Sequence, residues 1–301
     1  MLLLFLYNEC IIDYYVEMID CIQIGDAFMA SEKNVYAKPF LRWAGGKSWL
    51  VKHLDSIIGE HKFSGYHEPF LGGGSIFFYI APTEKAYLSD LNGELIDTYK
   101  AIQADPDGVI SCLEKYANTS EEYYRVRSSC PTTLVETAAR FIYLNQTSFN
   151  GIYRVNIKGE YNVPYGNRTK DFLEAGKLRS ASKVLQSATL QAGDFDCVRT
   201  HICPGDLVFL DPPYTVSHNH NGFIKYNQKL FSLEDQHRLK ALIDFIKEQG
   251  AYYILTNAAH ATIYEIFYEE ADRCLELNRA SLIGGENARR GQIQEYIFTN
   301  L

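Results

Sequence analysis

Several things are scarce in this chain, and each scarcity excludes a class of protein. Its seven cysteines (Cys10, Cys21, Cys112, Cys130, Cys197, Cys203, Cys274) form no Cys-x-x-Cys pair and have no histidine cluster beside them. That excludes zinc-ribbon spacing, and an odd, scattered set predicts reduced thiols in the cytosol. No apolar run approaches the roughly 20 residues that span a bilayer. The apolar opening Met1–Tyr7 also has no basic n-region, so neither a membrane anchor nor a signal peptide is expected. Residues 1–30 hold no Lys or Arg against five acids (Glu9, Asp13, Glu17, Asp20, Asp26) and read as an atypical extension, with Met29 a candidate start. Repeats and low-complexity tracts are absent. The 301 residues, 47% hydrophobic and 22% charged, suit one large soluble domain or a domain carrying an insertion.

Positive charge is scarce overall, since the net charge is −8, which argues mildly against a nucleic-acid partner. Its distribution argues the other way. Residues 125–180 hold nine Lys/Arg and four Asp/Glu, a local +5, which leaves −13 for the remainder. A local basic patch is the relevant footprint for nucleic acid.

What the chain does contain is a βα rhythm centred on Asp211-Pro212-Pro213-Tyr214. The apolar run Leu207–Leu210 reads as a buried parallel strand, which the two prolines end at Asp211. In an open α/β sheet, ligands bind beyond such strand ends. A carboxylate, a backbone carbonyl and an aromatic face placed there suit a flat group bearing an amino: two acceptors for its N–H donors and a ring to stack on. Upstream, Gly45-Gly46-Lys47-Ser48 has part of a phosphate loop. The first glycine of that loop falls at Leu41, so a triphosphate site is excluded. Strand Gly65–Phe70 runs into Gly72-Gly73-Gly74 and helix Ile76–Ile80. Strand Ala86–Asp90 ends in an acid 20 residues after Phe70, a spacing that suits a carboxylate reaching a ribose diol. Asn92 and Ser232 read as helix caps, and Tyr252–Leu255 as another strand. Leu275–Ala280 with Glu295–Thr299 read as a terminal strand pair.

Between Asp105 and Gln186 the rhythm lapses. A helix is expected over 134–146, then a hairpin or ordered loop across Phe149–Gly166, where Asn150-Gly151 and Lys158-Gly159 signal turns. Basic residues, aromatics and amides alternate there, a mix suited to phosphate, base-edge and stacking contacts. The polar stretch Thr215–Lys229 reads as a lid, and its His218 and His220 as solvated, not metal-ligating. Ile283–Gln292 reads as a further phosphate contact.

Together these residues resemble the Dam-type, D12 class DNA adenine-N6 methyltransferases. The resemblance covers Lys38 to the C-terminus and rests on five motifs in one order: R-W-A-G-G-K (Arg42–Lys47), P-F-L-G-G-G-S (Pro69–Ser75), L-S-D-L-N (Leu88–Asn92), the Phe149–Gly166 segment, and D-P-P-Y. It implies an α/β, Rossmann-like methyltransferase sheet over 31–104 and 187–301, with an inserted, mainly helical target-recognition subdomain over 105–186. It also implies S-adenosylmethionine as methyl donor, S-adenosylhomocysteine as product, and no metal. Trp43, Lys47, Asp90 and Asp211 fall on the family's cofactor positions. Asp211, Pro212 and Tyr214 would hold a flipped adenine. Phe149 would wedge into the duplex, with Asn150 and Ile152 near the central bases. Arg154 would read a guanine and Pro164 a thymine methyl. The implied partner is double-stranded DNA, with GATC the expected site. A cytoplasmic monomer without an obligate protein partner is expected, nucleoid-associated or phage-encoded. Two alternatives stay open: an aminomethyltransferase acting on cytosine N4 or RNA, and a DNA-binding regulator of the same fold without catalysis. The restriction–modification, phage and stand-alone roles are equally open.

Overall fold

The computed structural model describes residues 37–214, 231–280 and 292–301. The extension over 1–30, the expected lid Thr215–Lys229 and the Ile283–Gln292 stretch up to residue 291 lie outside the described residues. Seven strands form one sheet: β1 (Gly65–Glu68), β2 (Lys85–Asp90), β3 (Ala188–Ala192), β4 (Leu207–Leu210), β5 (Tyr252–Ala258), β6 (Arg273–Ala280) and β7 (Gln292–Thr299). Their spatial order is β3-β2-β1-β4-β5-β7-β6. β1 to β5 pair in parallel, and β7 runs antiparallel to both β5 and β6. Chain order reverses between β1 and β4, so the crevice opens at the carboxyl ends of those two strands.

β4 shows why the apolar run was a reliable signal. Leu207 and Phe209 enter one core and Val208 and Leu210 the other, all essentially unexposed. A strand covered by helices on both faces has no polar side to display. One face is covered by α1 (Val51–Ile58), α2 (Ser75–Ile80) and α3 (Gly93–Ala104), the other by α8 (Leu233–Glu248) and α9 (Ala261–Phe267). The caps follow the sequence: Asn92 accepts from Leu95 N, and Ser232 and Asp235 form a reciprocal capping box.

Between α3 and β3 lie α4 (Pro106–Leu113), α5 (Ser120–Ser128), α6 (Leu134–Thr147) and α7 (Ala175–Leu185), with no strand among them. Asp105, Thr119 and Thr133 cap the first three of these helices. Val109, Tyr123, Phe141 and Leu144 belong to the same apolar core as Phe77, Leu88 and Leu207, so the helical segment and the sheet pack continuously.

Two local expectations shift, and one open alternative is decided. β1 stops at Glu68, not Phe70, because Pro69 cannot donate to the ladder. β5 runs past Leu255 to Ala258 because β7 supplies partners as far as Glu295. Phe149–Gly166 is an ordered loop closed by two isolated bridges, Ser148↔Tyr165 and Val155↔Tyr161, without a continuous ladder. Its amides compete for the backbone: Asn156 Oδ1 accepts from Lys158 N at 2.9 Å and Glu160 N at 3.0 Å. Among the described residues, Cys112, Cys130, Cys197 and Cys274 are free thiols, as expected.

Candidate active site

Five strands bring polar side chains to the crevice. Glu68 ends β1, Asp90 ends β2 and Asp211 follows β4. Thr256 lies on β5, and Glu295 lies opposite Ala258 on antiparallel β7. Lys47 reaches in from the segment before α1 and is 4% exposed.

Lys47 Nζ lies 2.7 Å from Asp211 Oδ1 and 3.9 Å from Glu295 Oε2, and it also donates to Gly45 O at 3.0 Å. Thr256 Oγ1 donates to the same Asp211 Oδ1 at 2.7 Å. Both contacts fall on one carboxylate oxygen, which leaves Oδ2 uncommitted among the described residues. Burial pushes the Asp211 carboxyl above the ordinary range, and Lys47 and Thr256 pull it back toward the ionised form. Tyr214 packs its ring 5.1 Å beneath Lys47 Nζ, and its hydroxyl donates to Glu295 Oε2 at 2.5 Å. Pro212 is buried and Pro213 exposed.

On the β2 side, Asp90 accepts from Gly72 N and Asn92 N, each at 2.9 Å. These bonds lower its carboxyl pKa, but burial outweighs them and raises it. Gly72 has φ +48°, and a Cβ there would lie 2.8 Å from Trp43 Cδ1. Glycine is therefore required both by conformation and by the indole packed upon it. Trp43 stacks on Tyr153 at 5.8 Å and lies against Phe141 at 6.4 Å. Glu68 is fully buried and accepts from Tyr66 Oη at 2.7 Å and Phe77 N at 3.1 Å. Its carboxyl is pushed up to about 8, chiefly by burial, with Asp211 and Asp90 adding repulsion.

The recognition candidates share one exposed loop. Phe149 is 52% exposed, and its N–H donates to Pro164 O at 2.9 Å, so these two residues are neighbours. Asn150 holds a left-handed φ of 54°, which asparagine tolerates. Ile152 is half-buried. Arg154 is exposed, and its Nε donates to Asn162 Oδ1 at 2.7 Å. Trp43 adjoins this loop through its stack on Tyr153.

The D12 class N6 adenine-specific DNA methyltransferase model matches residues 43–279, which holds every one of these positions except Glu295. The chain belongs to that family. That family is one of enzymes specific for adenine N6 in DNA. Curated relatives agree. The chain is 33% identical to the type II methyltransferase M1.LlaDCHI of Lactococcus lactis subsp. cremoris, over 90% of this chain and 98% of that protein. It is 33% identical to the type II methyltransferase M.MjaIII of Methanocaldococcus jannaschii over 77% and 88%. It is 31% identical to the DNA adenine methylase of Haemophilus influenzae over 72% and 78%. A methyltransferase of this family requires a donor of the S-adenosylmethionine type and acts on DNA. Among the described residues no helix is long and apolar enough to cross a membrane, and no His/Cys/Asp/Glu group could hold a metal.

Four residues of the site carried no signal in the sequence reading. Thr256 was read only as a strand end, Glu68 lay inside a strand, and Glu295 began one. Asn145, 1% exposed in α6 and bonded to the Arg42 backbone, was one of several polar residues in that helix. For Glu68 and Asn145, a polar residue at a position whose periodicity demands an apolar one was the available clue.

Proposed function

We propose that the chain transfers a methyl group from S-adenosylmethionine to N6 of an adenine flipped out of duplex DNA, within GATC. The observation that carries this reading is the Asp211 carboxylate at the switch point, with Oδ1 held by Lys47 and Thr256 and Oδ2 left for a substrate N–H. The donor set fits the proposed methyl donor. Asp90 offers a carboxylate to a ribose diol, Lys47 a cation to a carboxylate, and Trp43 an apolar face. Asp211 and Glu295 lie beside the Lys47 ammonium, an acidic setting suited to a cationic ligand. S-adenosylmethionine, when bound, supplies an electrophilic methyl group.

The chain's own groups do the rest. Asp211 and the Pro212 carbonyl accept the two N6 hydrogens and aim the nitrogen lone pair. Tyr214, tied to Glu295, stacks on the extracted base. Preorganised acceptors and excluded water supply the acceleration without a covalent intermediate. Residues 105–186 act as the target-recognition subdomain: Phe149 fills the gap left by the base, Asn150 and Ile152 approach the central pairs, Arg154 reads a guanine, and Pro164 contacts a thymine methyl. The enzyme works as a cytoplasmic monomer. Single-molecule sequencing of DNA from cells expressing the protein should report N6-methyladenine in GATC. Methylation in another motif would replace the site assignment, and absence of N6-methyladenine would remove the reading. Asp211→Ala should lower turnover by about a hundredfold or more while leaving the fold intact. Wild-type turnover in that variant would contradict the role of the carboxylate.

A further inference from the structure

A buried amide, Asn145, ties the donor segment to the recognition loop. Asn145, near the end of α6, is 1% exposed. Its Oδ1 accepts from Arg42 N at 2.8 Å, and its Nδ2 donates to Arg42 O at 2.7 Å and to Gly151 O at 3.3 Å. One side chain thus grips both polar backbone atoms of the residue before Trp43 and the carbonyl beside Asn150. Other contacts run in parallel. The Arg42 guanidinium donates to Gln146 O and Ser148 O, each at 3.4 Å, and Gln146 Nε2 donates to Phe40 O at 2.7 Å. Gly151 lies so close that a Cβ there would be 2.6 Å from Arg42 Cβ. Buried amides left without partners are costly, so Arg42 and Gly151 must move together or not at all. Asn145 touches neither the Asp211 centre nor the exposed recognition side chains.

We propose that Asn145 is a positioning residue that couples methyl-donor binding at Arg42–Lys47 to DNA reading by Phe149–Arg154. This rests on the donor and DNA roles given above to those two segments. Ordering of the donor segment fixes Arg42, Arg42 fixes Gly151 through Asn145, and Gly151 fixes the turn that carries Phe149 and Asn150. By linkage each ligand then tightens the other by the same factor. The wedge is therefore set for DNA only when the donor pocket is filled, which disfavours extraction of a base that cannot be methylated.

The test measures the affinity of the full chain for S-adenosylhomocysteine by calorimetry, alone and with a GATC duplex. Wild type is expected to show a coupling factor of about tenfold. Asn145→Ser, which cannot span the three partners, is expected to bring the factor near unity while each ligand still binds alone. A wild-type-like factor in the variant overturns the proposal. So does a loss of both separate affinities with the factor unchanged, which would mark a merely structural residue. A wild type that methylates GATC yet shows no coupling overturns the link and spares the proposed function. A wild type that binds neither ligand removes both. Should the variant fail to fold, hydrogen exchange on wild type decides: S-adenosylhomocysteine alone should slow the Phe149, Gly151 and Ile152 amides, whose bonds run to Pro164 O, Ser148 O and Phe149 O. Protection confined to the donor segment overturns the proposal.

Discussion

In its proposed role Asp211 needs its negative charge to accept an N6 hydrogen strongly, and burial works against that charge. Lys47 is the largest opposing influence, at 2.7 Å. Replacing it should let the carboxyl rise further above its ordinary range. Lys47→Met is therefore expected to move the acid limb of the pH–kcat profile, at saturating donor, to higher pH. A limb that stays in place would mean that Lys47 serves donor binding alone. Arg154 poses a different single-residue question. Asn162 already orients its guanidinium, and a guanidinium can bond O6 and N7 of one guanine at once. Arg154→Ala should cost roughly 1–3 kcal/mol of discrimination at that one base pair. Methylation rates on duplexes varied only there would check it, and a uniform drop across the panel would make Arg154 a phosphate contact.

At the scale of elements, β1 buries Glu68 against the helix that follows it. With its pKa raised from the ordinary 4.5 to about 8, the folded chain keeps a proton that the unfolded chain releases. Stability from this group is full below the unfolded pKa and is lost as pH rises toward about 8. Glu68→Gln removes the titration and keeps an acceptor for Tyr66 and Phe77. The melting temperature of the variant, relative to wild type, should therefore increase between pH ~5 and pH ~8. A constant difference across that range would show that Glu68 ionises normally in the fold. The Phe149–Gly166 loop is an element of another kind. It is held by side chain–backbone bonds and by Gly151 against Arg42, so its turns were legible from Asn-Gly and Lys-Gly while its lack of a ladder was not.

At the scale of the molecule, the proposed function has a chain of net −8 meeting a polyanion through a segment of +5. Binding should depend steeply on salt in proportion to the phosphates neutralised. Lys158, exposed beside the Gly159 turn, is a candidate phosphate contact. Lys158→Ala should lower the slope of log K against log salt by about 0.9 and weaken all sequences alike. Fluorescence anisotropy at several salt concentrations would measure it, and an unchanged slope would place Lys158 off the DNA path.

By itself the sequence determined what depends on near neighbours along the chain. Leu207–Leu210 has to be buried on both faces, Pro212 and Pro213 have to end that strand, and Gly72 has to admit close packing, because periodicity, ring closure and a missing Cβ act locally. The ordered motifs then made the family legible. The tertiary structure decided what depends on residues distant in the chain. Glu295 reaches Tyr214 because β7 inserts antiparallel beside β5, and Thr256 reaches Asp211 because β5 pairs in parallel with β4 in that register. Asn145 finds Arg42 across 103 positions because α6 packs where the donor segment passes. No local rule reports such partners, since a buried polar group announces its need for hydrogen bonds in the sequence but not which atoms will meet it.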